Sequence, residues 1–314
     1  MAHYLITGGC GFIGSHLADR LLADGHRVTI LDNLSSGRLE NKPSAAKLVV
    51  GDVADPDAVR EAMAGDAGEG VDGVFHLAAV ASVQKSRELW AETHRTNLLG
   101  TVTVFEAARD ARRGGPIPVV YASSAAIYGD NNNTPLNEDE LPRPLSAYGV
   151  DKLGCEMHAR VAWAIQGVPT VGFRFFNVYG PRQDPMSPYS GVISIFARRV
   201  ARGEDVEIHG DGQQVRDFVF VGDVVRILAL AMERRFAGAQ VYNLCTGRAT
   251  SLVMLLEVLQ ELCGSKVRRR HTEARAGDIR VSIGDPSLLR STFDTVCQVG
   301  LLQGLSATLT GRMP

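Results

Sequence analysis

Nowhere does the 314-residue chain approach the roughly 18 consecutive apolar residues that a membrane-spanning helix needs. Its first residues, Met1-Ala2-His3-Tyr4-Leu5-Ile6-Thr7, carry neither a basic run nor a cleavage site. No membrane partner and a cytoplasmic location are therefore expected. An excess of charge of one sign is also missing. There are 33 Lys+Arg against 35 Asp+Glu, a net charge of −2, so no overall basic field draws the chain to nucleic acid or anionic lipid. Any phosphate-bearing partner must be met by a local site. Five scattered cysteines, Cys10, Cys155, Cys245, Cys263 and Cys297, form no C-x-x-C pair, which argues against a disulfide framework and suggests no metal site. They read as free thiols. Aromatic residues are few, at 6%, whereas 33 glycines imply tight turns and close backbone approaches. With 45% hydrophobic and 22% charged residues, the composition is that of an ordinary globular protein with a sizeable core.

Short β-branched runs at 3–7, 27–31, 47–50, 73–77, 118–122 and 170–174 predict strands. Segments with helical spacing, such as 12–22 and 101–111, lie between them. Strands alternating with helices predict an α/β fold with a doubly wound parallel sheet. After Asn177 the pattern loosens into a Pro/Gly/Ser-rich stretch, 180–191, and then mixes helices with short strands. This reads as a smaller mixed α/β C-terminal region that holds the substrate. The expected division is 1–176, with a return segment at about 217–243, against 177–216 and 244–314. The polar run 130–133 reads as an exposed loop.

Thr7-Gly8-Gly9-Cys10-Gly11-Phe12-Ile13-Gly14 follows the first strand and opens the first helix. Glycines at 8, 11 and 14 allow a tight turn, a close approach to a pyrophosphate and packing of helix on strand, and the helix N-terminus supplies N–H donors. Asp32 follows at the end of the second strand, where a carboxylate accepts from ribose hydroxyls and repels a 2′-phosphate. The pattern predicts a Rossmann domain that takes NAD rather than NADP; Arg38 nearby is the one counter-signal. Asp52 reads either as an adenine contact or as a turn carboxylate, and Cys10 as a small buried filler or a thiol at a helix N-terminus.

Tyr148 and Lys152 stand four apart, so on a helix both point from one face. Ser123-Ser124 ends the strand at 118–122, where parallel sheets present their ligands. Removing hydride from a carbinol requires a base. A phenol with a pKa of about 10 serves at neutral pH only when a cation such as Lys152 stabilises its phenolate. Ser124 can hydrogen-bond the same sugar oxygen.

Taken together, TGGCGFIG, DNLSSG, GDVAD, HLAA, SSAAIYG, YGVDK, RFFNVYGPRQDP, GDGQQVRDFV and RAGDIRVS resemble the extended short-chain dehydrogenase/reductases, specifically nucleotide-sugar 4-epimerases of the UDP-glucose/UDP-N-acetylglucosamine type. The resemblance covers nearly the whole chain. It implies a tightly held NAD, oxidation of the sugar C4 hydroxyl to a ketone, rotation of the 4-keto sugar and return of hydride to its other face. It also implies cofactor contacts from Phe12, Ile13, Asn33, Ser36, Gly37, Val53, Leu77, Ala78, Ala79 and Asn97, beside Gly8, Gly11, Gly14, Asp32, Asp52, Tyr148 and Lys152. Related dehydratases and decarboxylases carry an acid just after the catalytic Ser or Thr. Here those positions are Ala125 and Ala126, which cannot shuttle a proton, so the expected chemistry stops at reversible oxidation.

The same resemblance assigns Arg216 and Arg275 to a UDP diphosphate. It assigns Asn177, Ser123, Ser124, Ala125, Gly191, Val192 and Asp278 to the nucleotide-sugar, with Arg182 and Gln183 as weaker candidates and the 189–192 and 205–210 segments around uridine. The residue seven beyond the second arginine walls the sugar C2 substituent in the family; here it is Ser282. Gly191 is small where the family lines the same pocket, so both plain and N-acetylated UDP-hexoses are expected substrates. A UDP-glucuronate 4-epimerase, with Arg182 or a nearby hydroxyl meeting the sugar carboxylate, is the alternative, and a non-catalytic NAD-sensing relative a remote one. His76 reads as a group that positions loop backbone or forms an apolar wall, and His94 as having no direct chemical role, while the resemblance implies that Asn97, mid-helix, ties its helix to neighbouring backbone near the active site. The stretches at about 93–111 and 148–164 match helices that pair two copies of family members, so a homodimer is expected. Relatives carry a longer Trp-containing tail beyond 285–287, so a short or poorly ordered end is expected.

Overall fold

Five consecutive buried residues form β1 (His3–Thr7), the pattern of a strand covered on both faces. The computed structural model describes residues 1–65, 69–111, 114–184, 191–274 and 277–313. In chain order β1 is followed by α1 (Phe12–Ala23), β2 (Arg27–Asp32), β3 (Lys47–Val50), α2 (Pro56–Met63), β4 (Gly73–His76), α3 (Val83–Glu88), α4 (Trp90–His94), α5 (Gly100–Asp110), β5 (Val119–Ser124) and α6 (Ala147–Gln166). Then come β6 (Thr170–Phe175), β7 (Asn177–Tyr179), α7 (Val192–Ala201), β8 (Val206–His209), β9 (Val215–Arg216), β10 (Phe218–Phe220), α8 (Val221–Arg234) and β11 (Ala239–Leu244). The chain ends with β12 (Thr250–Ser251), α9 (Leu252–Cys263), β13 (Arg269–Thr272), β14 (Val281–Ser282), α10 (Ser287–Phe293) and α11 (Leu301–Thr310).

The first of two compact units comprises Met1–Ile127, Ser146–Arg174 and Val225–Tyr242. Its sheet has the order β11-β6-β5-β4-β1-β2-β3, with β1 parallel to β2 and β4, β2 to β3, and β4 to β5. The predicted strands are all present, and the doubly wound arrangement is the expected one. Local chemistry sets the helix ends. Asp55 caps α2 by accepting from Asp57 N (3.0 Å), with Pro56 in the first turn. Ser146 caps α6 by accepting from Gly149 N (3.1 Å), and Gly167, left-handed at φ 70°, closes it. Between α4 and α5 the chain winds one π-turn, Arg95–Leu99, one residue wider than an α-turn. α2, α5 and α6 bury Val59, Met63, Val104, Phe105 and Cys155 in one cluster with Val74, Val119 and Tyr121 of the sheet.

The second unit comprises Tyr128–Leu145, Phe175–Val224 and Asn243–Pro314. The 128–145 segment, expected with the first domain, belongs here because polar groups tie it to Asn243. The Tyr128 hydroxyl donates to Asn243 Oδ1 (2.7 Å), Asn243 N donates to Glu138 Oε1 (2.7 Å) and Asn243 Nδ2 to the Leu136 carbonyl (2.9 Å). Three small sheets pair β7 with β10, β8 with β13, and β12-β9-β14. The chain end departs from the expectation of disorder. α11 buries Leu305 and Ala307, and Gly304 lies so close to the Tyr179 hydroxyl that a Cβ would collide with it. Small residues on one helix face let it dock.

Candidate functional site

In the first unit the strand order reverses at β1, which has β2 on one side and β4 on the other, the switch point where parallel sheets bind ligands. Gly8 sits at φ +70°, and a Cβ there would lie 2.8 Å from Ala78 Cα beyond β4. A Cβ at Gly14 would collide with the Gly8 carbonyl, and one at Gly9 would fall 2.6 Å from Ile30 Cγ1, a requirement the spaced-glycine motif does not include. Gly11 differs: among the described residues its Cβ would meet only the Gly8 carbonyl, at 3.2 Å. Gly11 also starts α1, which has no capping side chain and no acid in its first turn, so the Phe12 and Ile13 end of the helix suits an anion.

The Asp32 carboxylate is buried and held by backbone, Oδ2 accepting from Cys10 N (2.9 Å) and Oδ1 from Leu34 N (2.8 Å). Gly37 packs on it, since a Cβ there would be 2.8 Å from both oxygens. Asn33 and Ser36 are exposed in the same loop. Asp52 accepts from Ala54 N (2.8 Å) and from Arg95. Burial works to raise its pKa, but these two donors prevail and hold it below the usual range. Cys10 is a buried filler, its thiol pushed up to about 11 by burial and then by Asp32. Val53 is buried against Gly100, so only its backbone is available to a ligand.

Half-buried Leu77, Ala78 and Ala79 follow β4, and their backbone is held from behind. Ala78 N donates to Thr7 Oγ1 (3.2 Å), Thr7 Oγ1 lies 2.8 Å from His76 Nδ1, and His76 Nε2 lies 2.9 Å from Thr101 Oγ1, which donates to the Asn97 carbonyl (2.6 Å). The chain of donors assigns the proton to Nε2 and makes Nδ1 an acceptor. Burial, then the Lys152 charge, pushes His76 down to about 3, so it stays neutral. Asn97, expected among the cofactor contacts, spends its amide on Val80, accepting from its N (2.8 Å) and donating to its carbonyl (3.3 Å). This is the tie to neighbouring backbone expected of it from the sequence, and it shapes the loop that follows β4.

The proposed base and its cation stand on α6. Lys152 is buried, its Nζ donates to the Ala122 carbonyl of β5 (2.7 Å) and lies 5.9 Å from the centroid of the half-buried Tyr148 ring. Ser124 ends β5, accepts from Ala126 N (3.1 Å) and keeps its O–H for another partner. Ala125 and Ala126 open a short 3-10 turn, Ala125–Tyr128. Ser123 departs from the expected substrate contact. It is 1% exposed and donates to Glu156 Oε1 (2.6 Å), because alternate residues of a strand face opposite sides. Glu156 in turn accepts from Arg174 Nε (3.0 Å) and from its terminal nitrogen (2.8 Å). Motif reading passed over this buried pair. The available signal was a carboxylate one helical turn beyond Lys152.

In the second unit β9 runs between β12 and β14, with Arg216 opposite Thr250 on one side and Ser282 on the other. Paired residues project from one face, so Ser282 stands beside Arg216. The Arg216 guanidinium donates to Asp278 Oδ1 (2.5 Å) and to the Val215 carbonyl (2.8 Å). Burial lowers its pKa while Asp278 opposes the shift. Asn177 begins β7, its N donating to the Asp217 carbonyl (2.9 Å). Asp217 itself is fully buried and accepts from Thr246 N (2.8 Å) and Oγ1 (2.6 Å) and Gly247 N (2.8 Å), which fastens β9 to the turn before β12. Gly191 and Val192 open α7. The room expected beside Gly191 is taken, because a Cβ there would lie 3.1 Å from Gln183 Nε2 and Ser194 Oγ donates to Gln183 Oε1 (2.5 Å). Arg275, Tyr189 and Ser190 lie outside the described residues.

The sequence matches the family described as "NAD dependent epimerase/dehydratase family" over residues 4–245. It is 37% identical over 312 residues to a UDP-glucose 4-epimerase of Mycolicibacterium smegmatis, spanning 97% of this chain and 96% of that one. The fold is similar to that of a UDP-glucose 4-epimerase from Thermotoga maritima crystallised with UDP-glucose, with a TM-score of 0.93, 37% identity and 98% of each chain covered. It is also similar to a UDP-N-acetylglucosamine 4-epimerase from Methanobrevibacter ruminantium in complex with UDP-N-acetylmuramic acid, with a TM-score of 0.91, 33% identity, and 99% of this chain and 97% of that chain covered.

Proposed function

Because the chain belongs to the NAD dependent epimerase/dehydratase family, we propose that it interconverts UDP-hexoses that differ at C4, by transient oxidation to the 4-keto sugar. It is an NAD-dependent nucleotide-sugar epimerase. The crevice suits NAD on its own geometry. Gly8 and Gly14 bring backbone together with no room for side chains, Gly11 faces the open side, and the uncapped start of α1 suits a pyrophosphate. When bound, NAD supplies the acceptor and donor of hydride.

Protein groups do the rest. The Tyr148 phenolate takes the C4 hydroxyl proton, the buried Lys152 ammonium stabilises that phenolate, and the Ser124 O–H donates to the same sugar oxygen. After the 4-keto sugar turns, Tyr148 returns the proton. Ala125 and Ala126 offer no acid or base for elimination or decarboxylation. Arg216 takes a UDP phosphate in exchange for Asp278, and Ser282 beside it leaves space at C2, so UDP-galactose and UDP-N-acetylgalactosamine are both substrates. The observation that carries this reading is Lys152, buried against Ala122 and 5.9 Å from the Tyr148 ring centroid.

A second copy of the chain covers the apolar row of Val150, Met157 and Val161 on α6, each half or more exposed. That spacing puts them on one helical face.

The deciding experiment incubates the NAD-loaded protein with UDP-galactose, UDP-N-acetylgalactosamine and UDP-glucuronate and follows products by proton NMR. C4 epimers of the first two without net NADH support the reading. A 6-deoxy-4-keto product, or turnover of UDP-glucuronate alone, overturns it.

A further inference from the structure

Lys152 and Glu156 are four apart on α6, the spacing at which a lysine and a glutamate pair along a helix. They do not pair here. Lys152 runs to the Ala122 carbonyl (2.7 Å), while Glu156 lands one residue further along β5, on the Ser123 hydroxyl (2.6 Å). Arg174 at the end of β6 grips both Glu156 oxygens, at 3.0 and 2.8 Å, and both side chains of this ion pair are at least 95% buried. A buried carboxylate must find a cation, and the fork of an arginine holds one at fixed orientation.

We propose that Arg174 is a positioning residue: by holding Glu156 on Ser123, it keeps that carboxylate off Lys152 and leaves the Lys152 ammonium to the Tyr148 phenol. This rests on the reading of Tyr148 as the base. Arg174 touches neither phenol nor substrate in this role. It acts by cancelling a negative charge that would otherwise drain the field of Lys152 at Tyr148. The same grip aligns β5 at Ser123, next to Ser124.

Other charged and titratable groups face this region from each packed element. They are His76 on β4, Tyr121 on β5, His94 on α4, and Asp151, Cys155 and Arg160 on α6. His76 is kept neutral, and burial raises both Tyr121 and Cys155, so these carry no charge near neutral pH. Asp151 is held by His94 Nδ1 (2.8 Å). Tyr121 feels the charges of Glu156 and Arg174, and Cys155 that of Glu156, but burial is the largest cause for both and keeps them uncharged near neutral pH, so a displacement of the Tyr148 titration between variants reports on that pair.

The test is the ultraviolet phenolate titration of Tyr148, one of seven tyrosines, isolated as the difference between each protein and the same protein carrying Tyr148→Phe. Arg174→Met should move the Tyr148 titration up by about one pH unit, and the acid limb of kcat with UDP-galactose should move with it. Arg174→Met/Glu156→Gln should return both to the wild-type position. Glu156→Gln alone keeps the shape of the network and should move the titration down, so the test does not depend on Arg174→Met folding. A titration that stays fixed in Glu156→Gln, or in a folded Arg174→Met that merely loses turnover, overturns the role of Arg174 while leaving Tyr148 as the base. Wild-type turnover by Tyr148→Phe overturns the base assignment and this role with it.

Discussion

Ser282 lies directly opposite Arg216 in the parallel pairing of β14 with β9. A residue proposed to hold diphosphate thereby has as its lateral neighbour the residue proposed to set the room at C2. Ser282→Tyr should abolish turnover of UDP-N-acetylgalactosamine, by on the order of 10²-fold or more, and change UDP-galactose only a few-fold. Parallel steady-state assays on one preparation check this. Equal losses on both sugars would instead mean that Arg216 had been displaced.

The glycine loop separates shape from binding. Among the described residues a Cβ at Gly11 meets only the Gly8 carbonyl, at 3.2 Å, whereas one at Gly8 meets Ala78 backbone at 2.8 Å from a left-handed residue. Gly11→Ala should melt within a few degrees of wild type but lose NAD loading about tenfold or more, because the added methyl takes up pyrophosphate space. Gly8→Ala should lose both, with roughly 1–2 kcal/mol of left-handed strain added to the clash. Bound NAD and thermal melts, measured on both variants, separate the two effects.

Acid sensitivity should trace to His76. Burial and Lys152 put its folded value near 3, below an unfolded value of about 6.5. Between these values the unfolded chain holds a proton that the folded chain does not. The stability that His76 contributes is therefore complete above about pH 6.5 and is lost as the pH falls toward 3. Urea unfolding at pH 5 should show a loss of about 2 kcal/mol relative to pH 7 from this group. His76→Gln, which keeps one acceptor and one donor for Thr7 and Thr101, should lack that slope. Identical slopes in the two proteins would remove the assignment.

The apolar row on α6 predicts an assembly. Met157→Glu, at a position 54% exposed in one copy, should leave the fold intact and shift the sedimentation coefficient from dimer to monomer. A wild-type protein that sediments as a monomer at micromolar concentration removes the proposed second copy.

Periodicity made the strands legible, and residue spacing made much of the site so. β1 and β3 fall where the β-branched runs place them, and Gly8, Asp32, Tyr148 and Lys152 sit at the strand ends and helix face that their spacing implies. What escaped is tertiary. No spacing announces that Arg174 reaches Glu156 or that Gln183 occupies the space beside Gly191, because each depends on which distant residue arrives. α11 escaped for another reason. Beside Leu305 it docks through small residues, Gly304 and Ala307, whose value lies in close approach rather than in hydrophobic bulk.

The π-turn at Arg95–Leu99 gives the length of this helix some slack. A π-turn holds one residue more than an α-turn over nearly the same rotation, so a one-residue deletion here is absorbed by a return to regular α-helix, with α5 facing as before. Thr101 would keep its place on His76, and only Leu98, inside the widened turn, would have to meet Gly154 of α6 anew. A one-residue deletion here should therefore be far less damaging than the same deletion inside α5, where nothing takes up the rotation of about 100° per residue.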